Sequence, residues 1–218
     1  MLRQFGRGSD RGDRPIGDQD RPAAQLALGG VEGGNQRRVA DQECPDESYL
    51  MTLDELNAAD EGTFVAALSF IFEDSPWVAA RARPLRPFAD AAELHAAMCA
   101  AVAAASPDEQ LALIRAHPDL VGRAARNGTL SPASAGEQAA AGLDRLDPEE
   151  AAMFATLNAA YTARFGFPFV MCVRENKKAA IVAGLQQRAR NERAAEIATA
   201  LREIEKIARL RLAGLLAA

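Results

Sequence analysis

A chain of 218 residues, 49% of them hydrophobic, is long enough for one domain with a sizeable core and an appendage. Aromatics make up only 6%, while Ala, Leu, Glu and Arg abound, which favours helix over sheet. The net charge of −5 argues against a nucleic-acid or anionic-membrane surface, and no apolar run approaches the roughly 18 residues that span a bilayer.

Residues 1–50 read unlike the rest. Arg3 to Asp20 alternate Arg, Gly and Asp without apolar periodicity, and Gly29 to Cys44 are rich in Gly, Gln and charge. Such a composition buries too little apolar area to offset chain entropy, so disorder is expected. Frequent acidic residues argue against a transit peptide. A second reading stays open, in which translation starts at Met51 and the upstream stretch is a non-native extension.

From Met51 onward the helix punctuation is orderly. Thr52 with Glu55 forms a capping-box pattern. Asp60 is placed to cap a helix carrying Phe64, Leu68, Ile71 and Phe72 on one face. Ser75-Pro76 reads as N-cap and first helical residue of a short helix through Trp77 and Arg81. Asp90 with Glu93 opens a helix striped by Leu94, Met98 and Val102, and Ser106-Pro107 with Glu109 opens one carrying Leu111 and Ile114. Pro118 ends it, because the residue before proline is pushed out of the α region. Ser131-Pro132 and Asp147-Pro148 open two more, the second passing Phe154, Leu157 and Tyr161 and stopping near Gly166. An extended apolar run from Phe165 to Val173 follows, then a turn at Glu175 to Lys177 and a final helical region. The expectation is an all-α fold: a single compact domain of about eight helices over residues 51–218.

Few residues stand out chemically. Two histidines rule out a multi-histidine metal site, and Cys44, Cys99 and Cys172 lie far apart without ligand spacing. Reduced thiols, no apolar leader and no Ser-Lys-Leu ending make the cytoplasm the default location. His117 falls at a helix C-terminus, where the helix dipole favours the imidazolium and suits a general acid; on position alone a surface histidine capping carbonyls is the more ordinary reading. His95, mid-helix, reads as structural or solvated. Ser134, Glu137 and Gln138 share a helical face, as either a ureide-binding surface or an ordinary solvated one. On the last helix Arg211 joins the stripe of Ile197, Leu201, Ile204, Ala208 and Leu215. A guanidinium placed there calls for an anionic ligand, an internal salt bridge, or a stem that snorkels to water. The run from Phe167 to Val173 either lines a pocket with its backbone or is a buried connection. Arg81, Arg86 and Arg174 read as surface charges or the rim of a site.

Several motifs in order add to this reading. They are Arg-Pro-Phe (86–88), Ile-Arg-Ala-His-Pro-Asp-Leu (114–120), Gly-Thr-Leu-Ser (128–131) and Ser-x-x-Glu-Gln with Ala-Gly-Leu (134–143). Leu-Asn-x-x-Tyr-x-x-Arg-Phe-Gly-Phe-Pro-Phe-Val (157–170) and Lys-Ile-x-x-Leu-Arg-Leu (206–212) follow. Together they resemble the 2-oxo-4-hydroxy-4-carboxy-5-ureidoimidazoline (OHCU) decarboxylase family over residues 51–218. The resemblance implies an all-helical homodimer that converts OHCU to (S)-allantoin and CO2 in urate breakdown, with no metal or organic cofactor. It implies that His117 is the catalytic acid and Pro118 a substrate contact. Ser134, Ala135, Gly136, Glu137 and Gln138 match the family's binding segment, with Glu137 also catalytic. Phe169, Val170, Met171, Cys172 and Val173 match the segment offering backbone contacts, and Arg211 the substrate-binding arginine. Val121-Gly122 stands where Ala-Gly is usual. Two other readings remain: a relative acting on another ureide or cyclic imide, and a helical interaction module, which would leave an inward-facing Arg211 unexplained.

Overall fold

Most helices begin where a short polar side chain can satisfy the free amides of a first turn. The computed structural model describes residues 50–122, 125 and 127–216, so the expectations for residues 1–49 lie outside the described residues. Among these, nine α-helices are present: α1 (Leu53–Ala58), α2 (Glu61–Leu68), α3 (Pro76–Ala82), α4 (Ala91–Ala103), α5 (Pro107–Ala116), α6 (Pro132–Ala140), α7 (Pro148–Phe165), α8 (Lys178–Arg188) and α9 (Arg193–Leu215). Thr52, Ser106 and Asp147 form full capping boxes with Glu55, Glu109 and Glu150. Asp60, Asp90 and Ser131 cap by accepting from the third amide along. None of the described helices is long and apolar enough to cross a membrane.

The core draws mainly on Leu, Phe, Val, Ile and Ala from every described helix except α6, whose buried residues are the polar Ser134 and Gln138. Helix α9 packs on α4 and α5, α3 lies between α2 and α4, and α7 pairs with α8. The Met51 amide donates to the Leu215 carbonyl (3.2 Å), which ties the start of the described fold to the end of α9. Tyr161 on α7 sits against Phe165, Phe167 and Phe169, with ring centroids 4.7, 6.1 and 5.3 Å away. That aromatic cluster anchors the extended segment after α7.

Some expectations shift in detail. Helix α2 stops at Leu68, so Ile71 and Phe72 reach the core from a turn instead. That turn closes with Glu73 (φ 30°) and Asp74 (φ 26°) in the left-handed region, where no helix continues. Ser75 precedes Pro76 as expected, but its hydroxyl caps nothing. On α5 the buried pair is Leu113 and Ile114, with Leu111 half-buried. On α9 Ile204, Ala208, Arg211 and Leu215 are buried as expected, but in the first half of the helix the inward face is rotated: Glu196, Ala200 and Glu203 are buried and Ile197 and Leu201 half-buried. Two inward glutamates hide the true centre of that face from hydrophobic periodicity. Arg86 is no surface charge; it is half-buried and donates to the carbonyls of Leu56, Asn57 and Ala59 at the end of α1.

Gly166 ends α7 at φ 78°, and its carbonyl accepts from Arg115 on α5 (3.0 Å). Gly166→Ala is expected to lower stability by about 1 kcal/mol or more, because an L side chain is strained at that φ. Urea denaturation reads it as a lower midpoint at unchanged slope.

Candidate active site

Pro118 stops α5 one residue early and leaves His117 as its C-cap. The His117 ring turns inward: Nδ1 lies 2.9 Å from the Leu113 carbonyl and the residue is 5% exposed. A carbonyl only accepts, so Nδ1 carries the hydrogen. Nε2 is buried, has no hydrogen-bond partner among the described residues, and belongs to a residue lining a small pocket. In the neutral ring that nitrogen presents a lone pair.

Helix α6 supplies one wall. Ser134 and Gln138 are buried on it, Glu137 is half-buried, and all three line the pocket. The shared face expected from the sequence is present. Ala135 and Gly136 are exposed and lie away from the pocket. Gln138 also braces the loop after α5, its Oε1 accepting from the Val121 amide (2.9 Å), where Val121 is held at φ 55°. The buried Asn158 of α7 holds the same loop by donating to the Leu120 carbonyl (2.6 Å).

Arg211 faces inward from α9 and is 5% exposed. Its five N–H groups are all taken. Nε and Nη2 grip Glu137 bidentately (2.8 and 3.0 Å), and Nη2 also donates to Ser134 Oγ (3.1 Å). Nη1 donates to Glu73 Oε2 (2.6 Å) and to the Phe70 carbonyl (2.7 Å). Of the readings left open for this arginine, the structure shows the internal salt bridge. Glu73 in turn accepts from Ser131 (2.7 Å) and Ser134 (3.1 Å).

A second wall is the extended segment after α7. Phe169, Val170, Met171 and Val173 line the pocket; Cys172 does not. The Cys172 amide is spent on Glu203 of α9 (2.9 Å), and the Val170 carbonyl on Arg188 (2.8 Å). Arg188 is fixed by buried Glu196 (2.6 Å) and lies over the Phe169 ring. The two inward glutamates of α9 thus hold this wall in place, directly and through Arg188. Two of the backbone groups expected to meet a ligand are already committed to the protein. Ile207, Leu120 and Pro118 complete the lining.

Electrostatics revises one expectation. The helix dipole was expected to favour a charged His117. Burial dominates instead and lowers its pKa, aided by the nearby Arg211 charge and opposed by the Leu113 carbonyl, Glu73 and Glu137. For Glu73 burial pulls upward, but Arg211 and the hydroxyl of Ser131 together bring its pKa below the ordinary value. Arg211 resists burial through Glu137 and Glu73, and its pKa rises. At neutral pH the site therefore sets a neutral imidazole beside the Arg211 guanidinium and the Glu73 carboxylate.

Glu73, Asn158, Glu196 and Glu203 went unnoticed in the sequence. Glu73 follows the apolar pair Ile71-Phe72 and precedes a Ser-Pro helix start, a position with no periodic signal. Glu203 lies seven residues after Glu196 on α9, a two-turn spacing that was readable in principle.

A helical domain whose histidine, carboxylates and arginine converge on one small pocket is built as an enzyme for a small polar molecule. Residues 57–213 match the sequence model described as OHCU decarboxylase, and the chain belongs to that family. It is 46% identical over 165 residues to the 2-oxo-4-hydroxy-4-carboxy-5-ureidoimidazoline decarboxylase of Haloferax volcanii, covering 76% of this chain and 96% of the relative. A human protein named as a putative decarboxylase of the same kind is 40% identical over 168 residues, covering 77% of this chain and 97% of its own. The crystal structure of an (S)-allantoin synthase superposes with a TM-score of 0.62 at 29% identity, covering 76% of this chain. This chain spans 54% of the length of that one.

The lowered pKa of His117 has a consequence for stability. Its contribution is complete above the ordinary value of 6.5 and is lost as pH falls below 6.5 through the lowered folded value. His117→Gln is expected to flatten the fall in unfolding free energy between pH 7 and 5. Chemical denaturation at each pH measures it.

Proposed function

We propose that this protein decarboxylates OHCU to (S)-allantoin and CO2 without a cofactor, with His117 delivering the proton that sets the stereocentre. The observation that carries this reading is the convergence of His117, Glu137, Gln138 and Arg211 on one pocket in a member of this family. The acting domain is residues 51–218. The family resemblance supports a homodimer in the cytoplasm, and nothing in the charge balance calls for a nucleic-acid partner.

The chemistry suits these groups. Carbon 4 of the substrate bears the hydroxyl and the carboxylate, and carbon 5 bears the ureido group on an unsaturated C–N unit. As CO2 leaves, the electron pair at carbon 4 flows into that unit. The carbon 4 hydroxyl becomes the ring carbonyl, carbon 5 gains a proton, and one proton per turnover comes from solvent. The substrate is its own electron sink, so the enzyme has only to orient, stabilise and protonate.

Arg211 reaches a substrate oxygen by giving up Glu137, the partner on its pocket edge. The released Glu137 and the neighbouring Gln138 then accept and donate along the ring and ureido N–H and C=O groups. The carboxylate of the bound substrate adds negative charge beside His117 and favours its protonation. Nε2–H faces the pocket and gives its proton to one side of carbon 5. Nδ1–H, held by Leu113, keeps the ring oriented throughout.

Freshly generated OHCU followed by circular dichroism tests this. Wild type is expected to speed the appearance of the (S)-allantoin signal, and His117→Asn to lose about 10²–10⁴-fold in kcat/KM. The alkaline limb of kcat/KM is expected below pH 6.5, the ordinary histidine value, and that of kcat higher, since the two report free and substrate-bound enzyme. Folded wild type that leaves the spontaneous decay unchanged overturns the reading in favour of another ureide or cyclic imide.

A further inference from the structure

Glu137 alone would neutralise Arg211, yet a second carboxylate is buried against the same guanidinium. Glu73 is 5% exposed, does not line the pocket, and pairs with Nη1, the edge away from Glu137. Burying it costs desolvation, and its charge repels an anionic substrate. Neither ground-state binding nor charge neutralisation of the arginine accounts for it.

Its backbone is costly too. Glu73 and Asp74 adopt left-handed φ in succession, and neither is glycine. Such strain persists only where the surroundings over-determine it. Here Ser131 Oγ, Ser134 Oγ and Arg211 Nη1 all converge on the Glu73 carboxylate.

We propose that Glu73 is a positioning residue of this site: it fixes the inner edge of Arg211 so that only the Glu137 edge opens to substrate, and it supplies the standing negative charge that balances an imidazolium at His117. This rests on the decarboxylase reading above. The Glu73 edge is the fixed one because three side chains hold it out of solvent. The Glu137 edge is the exchangeable one because Glu137 lines the pocket and its side chain is more exposed than that of Glu73, 13% against 6%. The charged groups acting on His117 are Glu73 in the turn after α2, Glu137 on α6 and Arg211 on α9. Both carboxylates favour its charged form and Arg211 opposes it.

The test compares wild type, Glu73→Gln and Glu73→Asp. Glu73→Gln keeps the shape and removes the charge. Its kcat is expected to fall by about tenfold or more, with KM unchanged or lower because the pocket repels an anion less. The alkaline limb of kcat is expected to move to lower pH. Glu73→Asp keeps the charge, so its limb stays at the wild-type position while kcat falls less. A structural defect alone would raise KM and leave the limb in place, and that result overturns the proposal. If Glu73→Gln does not fold, Glu73→Asp decides: wild-type kcat in that variant refutes the fixed inner edge. Imidazole NMR titration, assigned with His95→Asn, reads His117 without substrate. A lower His117 pKa in Glu73→Gln together with a wild type inert toward OHCU sinks the function but keeps the coupling. An active wild type with no His117 shift in Glu73→Gln sinks the charge role of Glu73.

Discussion

The buried guanidinium of Arg211 is the group on which the site depends. It leaves the last helix, crosses the interior, and joins the turn after α2 to the start and middle of α6. A charge so deep is tolerated only while all its donors are met, and here each N–H has a partner. Removing a partner would strand a buried ion at a cost of about 3–5 kcal/mol, so the arrangement has few alternatives. The same fact makes the arginine useful. A fully satisfied guanidinium offers nothing to a ligand until one partner yields, and the partner nearest solvent is Glu137.

His117 depends on this centre. On a bare helix end its dipole would favour the cation. In this fold burial wins, because the ring is enclosed and its one fixed partner is a neutral carbonyl. Glu73 and Glu137 pull the other way without overturning it. The histidine is therefore held toward its neutral form by its enclosure, with the charges that would favour the cation close at hand.

Much of the helical frame was legible in the chain because caps are local. Thr52, Asp60, Asp90, Ser106, Ser131 and Asp147 each act within three residues, so reading them needs no tertiary knowledge. His117 was placed at a helix end by Pro118, and Arg211 inside by its spacing from Ile204 and Ala208. What failed was whatever depends on distant partners. The inward face of α9 was misplaced because Glu196 and Glu203 look solvent-facing until Arg188 and the Cys172 amide are seen. Glu73 sits in a left-handed turn, where neither helical nor strand periodicity applies. The state of His117 required knowing how deeply the loop after α5 is enclosed.

The extended wall shows the same division of labour in another material. An irregular segment inside a core must have its backbone groups satisfied or it will not be buried. Glu203 and Arg188 do this for Cys172 and Val170, and Glu196 fixes Arg188 in turn. Facing the pocket, the segment then shows mostly apolar surface through Phe169, Val170, Met171 and Val173. One wall is thus made apolar by polar groups hidden behind it, while α6 and α9 turn Ser134, Glu137, Gln138 and Arg211 toward the cavity. His117 at the end of α5 lines the same cavity with its buried Nε2, so hydrogen-bonding groups and an apolar surface meet at one place because each is braced by partners elsewhere in the fold.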